Sequence, residues 1–205
     1  MMNRKARLAL IVGAVTVGGL FFWWSSVRPS AADLPKPKGY FEIKLPDTAS
    51  VAFEAHDGFR VDFRTNKSAV WKTVNAAKGW GTVSFPTLGA EIQLSYVAVG
   101  DQLPKLLDDA HQLAFKHDVV AQGIKEKLYS DPERRVHGIL YQFQGNTATP
   151  CQFFITDSAN HFLRGSVYVL AKPNADSLAP VNAFLQAEVI RLMETARWKV
   201  GEMKG

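Results

Sequence analysis

Between Cys151 and Leu170 the chain reads CQFFITDSANHFLRGSVYVL. Two strand-like runs, CQFFIT and HFLRGSVYVL, flank four turn formers, DSAN. Aromatic and β-branched side chains suit a pleated surface, while Asp and Asn tolerate left-handed backbone and close Asx-turns. Strands joined this closely pair antiparallel, because a parallel partner needs a crossover of about a dozen residues. An antiparallel sheet is therefore the frame into which the rest must fit. The same stretch carries Asp157, Ser158 and His161, the residue types of a hydrolytic triad. A triad brings nucleophile and base together from different elements. Three such residues crowded on one hairpin would struggle to align. The expected reading is a hairpin with a polar tip, with Asp157, Ser158, Asn160, His161 and Arg164 as candidate contact residues.

Other segments supply partners for that hairpin. In Gly58–Arg64, Phe59, Val61 and Phe63 alternate with Arg60, Asp62 and Arg64, which marks a half-buried strand. AVWKTV, GWGTVSF and AEIQLSYVAV continue in β character, with the turn Pro86–Gly89 between the last two. A helix is predicted over LPKLLDDAHQLAFKHDVV, residues 103–120, where Leu103, Leu106, Leu107, Ala110, Leu113, Ala114 and Val120 line one face. Asp101 is its expected cap, and Pro104 fits its first turn. AQGIKEKLYS and RVHGILYQFQG are strand-like. A second helix is predicted over DSLAPVNAFLQAEVIRLMETARW, capped by Asp176 or Ser177, with Pro180 in the first turn. Its buried stripe is Leu178, Val181, Leu185, Val189, Leu192 and Ala196. The fold class is α+β, a mainly antiparallel sheet flanked by two long amphipathic helices that bury their stripes on it. By analogy this order resembles the PsbP/Mog1-like sandwich.

The net charge of +5 does not point to nucleic acid. Four of the 24 basic residues, Arg4, Lys5, Arg7 and Arg28, lie in the first 28 positions, leaving 20 against 19 acidic residues in the rest. A nearly neutral domain has no electrostatic footprint for a phosphate backbone. The early charge instead precedes an uncharged apolar run, Leu8 to Trp24, which reads as an export signal with its domain outside the cytoplasm. The expected organisation is a signal anchor over 1–27, a Pro-rich tether over 28–38 and a single α+β envelope domain over 39–200. Residues 201–205 form a tail. Localisation is expected at the cell membrane with the domain in the periplasm. The alternative is signal cleavage after Ala32 and a soluble periplasmic domain.

Signatures of common chemistries are missing. No GxSxG elbow, Walker loop or GxGxxG after a strand occurs. The histidines are His56, His111, His117, His137 and His161; His111 and His117 are six apart on different helix faces, which does not suit a shared metal. His117 reads as a half-buried, hydrogen-bonded core histidine. The only cysteine, Cys151, excludes an intramolecular disulfide and reads as a small buried thiol. SDPERR, Ser130–Arg135, reads as a solvated turn. No cofactor, metal or catalytic residue is expected.

Several blocks in order carry a family resemblance: PKPKGYFEIKLP, IQLSY, FKH, HGILYQFQGN, QFFITDSANHFLRGSVYV, PNADSLAPVNAFL and ETARWK. Together they resemble the gliding-motility lipoprotein GldD family, from about Pro35 to Lys199. The resemblance implies a non-enzymatic, membrane-tethered envelope component of gliding motility and the linked type IX secretion machinery. It implies partners in that machinery, including the integral-membrane protein GldE. It brings no catalytic residue. A lipoprotein carries a cysteine directly after its signal; no cysteine lies between Met1 and Pro150, so the apolar run is expected to anchor the chain instead. The resemblance also implies cysteines near Gly58 and Trp80, which are lacking here. A competing expectation is a periplasmic small-ligand-binding module or hydrolase using the 157–161 turn.

Overall fold

The computed structural model describes residues 22–24, 43–54, 58–116 and 123–199. The chain divides into Met1–Phe41 and Glu42–Gly205, and the fold described is that of the second unit. Phe22, Trp23 and Trp24 are helical and exposed. The remainder of the expected anchor, the tether and the tail lie outside the described residues. Among the described residues no helix is long and apolar enough to cross a membrane.

Seven strands form one antiparallel sheet: β3 (Val70–Asn75), β4 (Trp80–Phe85), β5 (Ala90–Ala98), β9 (His161–Val169), β8 (Cys151–Thr156), β7 (Val136–Gln144) and β6 (Gly123–Asp131), in that spatial order. Sequence neighbours pair through short turns, and one long-range pairing, β5 with β9, joins the two halves. A second, three-stranded sheet has the order β1 (Ser50–Phe53), β2 (Val61–Asn66), β10 (Arg197–Trp198). The helices are α1 (Leu103–Phe115) and α2 (Ala175–Thr195).

Period-two alternation assigns the layers. On β5 and β9, Ile92, Leu94, Leu163 and Val167 share one face and pack in the main core with Leu185 and Val189 of α2 and Phe53, Val61 and Phe63 of the small sheet. Phe162, with Phe154 of β8 and Tyr141 of β7, lies on the opposite face and packs with Ala110 and Ala114 of α1. β8 is covered on both sides, so all six of its residues are buried and its sequence does not alternate.

The α+β class with dominant antiparallel pairing is as expected, and the helices differ in detail. α1 has 13 residues and ends at Phe115 rather than Val120, and residues 117–122 lie outside the described set. Asp101 does not cap it. Asp101 sits in a 3₁₀ turn, Gly100–Gln102, that runs into the helix, and the cap position, Gln102, makes no side-chain bond. α2 begins one residue after Asn174, whose side chain accepts the Ser177 N–H, so Asp176 and Ser177 lie inside the first turn. Pro180 is consequently inside the helix rather than in its first turn. Both it and Asp176, whose carbonyl a proline nitrogen cannot satisfy, are exposed residues. All six residues of the expected α2 stripe are buried.

Glu188 is an exception inside that stripe, 2% exposed. β10 pairs only with Val61 and Asp62, so the N–H groups of Arg64 and Asn66 need other acceptors. Thr195 Oγ1 accepts the first at 2.8 Å and Glu188 Oε2 the second at 2.9 Å. Arg191 lies 3.3 Å from the other Glu188 oxygen and reaches the Thr48 carbonyl. Truncating a buried charged acceptor leaves its partners unpaired. Glu188→Ala should cost about 3 kcal/mol in urea unfolding. A loss under about 1 kcal/mol would show that this bond does not hold α2 to β2.

Candidate functional site

The β8–β9 hairpin closes on the pair Thr156 and Phe162, followed by a bond from the Asp157 N–H to the His161 carbonyl at 3.3 Å. Ser158, Ala159 and Asn160 form an exposed tip. Asp157 Oδ1 accepts the N–H groups of Ala159, Asn160 and His161 at 3.1, 2.8 and 2.8 Å. Thr156 Oγ1 donates to the His161 carbonyl and accepts from the Ser158 N–H, which holds Ser158 at its left-handed φ of 63°. The Val99 N–H donates to the Asn160 carbonyl and ties the tip to the end of β5. Burial alone would raise the Asp157 pKa. The backbone donors of His161, Asn160 and Ala159, aided by His161's charge when protonated, hold it below the usual carboxylate value.

His161 sits on the main-core face. Its Nδ1 shares a 2.6 Å hydrogen bond with Tyr96 Oη, and its ring stacks on Trp198 at 5.1 Å and 7°. Trp198 Nε1 donates to the carbonyl of Arg135, itself at a left-handed φ of 51°. The Ser130–Arg135 turn is therefore docked by the C-terminal strand as well as solvated. Asp131 and Arg134 pair within it. Burial lowers the His161 pKa; Asp157 opposes this, and Arg60 and Arg135 add to it.

This geometry is not that of a triad. Asp157 Oδ1 is engaged by amides and His161 Nδ1 by a phenol, and among the described residues no hydrogen bond joins Ser158 to His161. Nor is Arg164 part of the tip. It pairs with Ser95 and Phe154 across the sheet, on the face opposite His161. Among the described residues no cluster of His, Cys, Asp and Glu could hold a metal ion. His111 is exposed against Phe115, His137 bonds Ser130, and His56 and His117 lie outside the described residues. Cys151 is fully buried in β8, and burial pushes its thiol pKa far up, so it is no attachment point on the folded domain.

Tyr96, Arg135 and Trp198 join this site without having been singled out as site residues. The signal was present: Tyr96 ends the block IQLSY, His161 lies in TDSANHFLRG and Trp198 in ETARWK. Three separate blocks converge on one aromatic stack.

A family model described as gliding motility lipoprotein GldD matches residues 30–198. No curated protein and no solved structure matches the chain. The match spans the tip, the His161 stack and the C-terminal strand that closes it. The chain belongs to the gliding motility lipoprotein GldD family, and is thereby a membrane-anchored envelope component of gliding motility.

Proposed function

We propose that this chain is a non-enzymatic component of the gliding and linked type IX secretion machinery, acting through protein–protein contacts made by the β8–β9 tip, with GldE among its partners. The observation that carries the reading is the exposed Ser158–Asn160 segment, fixed from below by Asp157 and Thr156. A preordered polar loop loses little entropy on docking. Catalysis at the turn lacks support because the acid and the imidazole are both engaged structurally. Kinship with the PsbP/Mog1-like sandwich rests on element order alone.

A photo-crosslinker at Asn160 in living cells should yield an adduct with GldE, and one at Lys127 on the exposed β6 edge should not. No adduct from Asn160, or equal adducts from both positions, would count against the tip. Deletion of the gene should abolish spreading and secretion of type IX cargo, and normal secretion in the deletion strain would refute the link to that machinery.

A further inference from the structure

On the sheet face opposite the His161 stack, β3, β4, β5 and β9 border a cavity of about 410 Å³. Among the described residues, Arg164 is the only charged one lining it. Among the described residues its guanidinium makes one hydrogen bond, to Gln152 Oε1 at 3.5 Å, and no salt bridge. Burial lowers its pKa, outweighing the Tyr168 phenol and the Asp109 carboxylate, which act on it through space. A half-buried cation with so weak a partner is costly to keep unless something anionic completes it.

The surroundings narrow what that something is. Thr82 and Ser166 are each 7% exposed, and with Ser95 they line the cavity with hydroxyls that bond no other described residue. Trp80 stands at the rim, 44% exposed, with the Lys78 ammonium 4.7 Å from its ring centroid. A guanidinium matches the fork of a carboxylate or phosphate. Open hydroxyls match the alternating donors and acceptors of a sugar, and an exposed indole face offers an apolar platform for a pyranose ring. We infer that this cavity binds an acidic saccharide, a sugar bearing a carboxylate or phosphate, with the anion on Arg164 and the ring against Trp80. The site is separate from the tip and does not depend on the protein contacts proposed there.

The test is calorimetric titration of the detergent-solubilised full chain with glucuronate, glucose 1-phosphate, glucose, inorganic phosphate and a short acidic peptide. The expected result is that an acidic sugar binds at least tenfold more tightly than glucose, inorganic phosphate or the peptide. Arg164→Gln should weaken it at least tenfold. Trp80→Ala, a change at an exposed position that leaves the cation in place, should weaken it severalfold with an unchanged melting temperature. Acid sugars that fail to bind would overturn the inference. So would binding indifferent to both substitutions, glucose binding equally well, or phosphate or peptide binding more tightly than the sugars. A preference for glucuronate over glucose 1-phosphate, or the reverse, identifies which anion Arg164 receives.

Discussion

Replacing Gly138 with alanine should unfold this domain more readily than any other single-methyl change in the sheet. Gly138 is a buried residue of β7, opposite Ile155 of β8. A Cβ at that position would run into the carbonyl oxygen of Phe154 and against Ile155 Cγ2. At Gly81 and Gly165 the obstacle is an aromatic ring, Trp71 or Phe153, which can tilt. At Gly138 it is backbone, held by ladders on both sides of β8. Overpacking costs about 1–3 kcal/mol where side chains can adjust, and here they cannot. A loss of about 3 kcal/mol is expected, lowering Tm by roughly 6–12 °C for a domain of this size. Gly81→Ala is the comparison, with a smaller loss. Equal losses would mean that β8 yields at Phe154.

Asp157→Ala should come next, and its effect should be local as well as global. It removes one acceptor shared by three N–H donors. Bonds to a charged acceptor are stronger than neutral ones, though an exposed loop recovers part of the loss through water. The expected cost is about 2–3 kcal/mol in urea unfolding. Amide exchange at Ala159, Asn160 and His161 should accelerate before the sheet opens. Asp157→Asn should recover about half, because it restores the acceptor but sets an amide NH₂ where Oδ2 is buried with no partner among the described residues. The same carboxylate shapes the acid response. Asp157 and His161 both titrate below their ordinary values in the folded chain. Each therefore stabilises the fold in its deprotonated form, and each contribution is lost on acidification. That of His161 is complete above about pH 6.5 and fades as pH falls through its lowered value; that of Asp157 is complete above about pH 3.9 and fades below it. Asp157→Asn should erase the second loss and keep the first. His161→Phe should erase the first, keep the stack on Trp198, and lose the bond to Tyr96. Burial raises the Glu188 pKa, which opposes this loss as pH falls, so the test is the difference between the two proteins: a pH dependence between about 7 and 5 that His161→Phe leaves unchanged would contradict the assignment to His161.

The antiparallel frame was legible in sequence because local rules agreed. DSAN is a turn between two apolar runs, and β8 and β9 pair as those runs require. The α2 stripe was legible from its period. Its start was not, because Asn174, Asp176 and Ser177 all have capping side chains, and only the position of the N–H groups selects Asn174. Nor was β10, since two residues carry no alternation to read. The pairing of β5 with β9, which places Ser95 beside Arg164, joins residues 63 to 79 positions apart and has no local trace. The candidate hairpin was visible as a segment. That His161 and Arg164, three apart on one strand, serve opposite faces follows from the pleat, but which layer each face meets was fixed only by the neighbouring strands and helices.

The β8–β9 tip is the proposed contact surface. The direct measurement is colony spreading by cells whose only copy of the chain carries Ala159→Arg and Asn160→Arg. Both side chains are exposed, and neither supplies a bond that locks the turn except through its backbone. The expected result is a protein with wild-type abundance and melting temperature in cells that neither spread nor secrete type IX cargo. Wild-type spreading by those cells would contradict it.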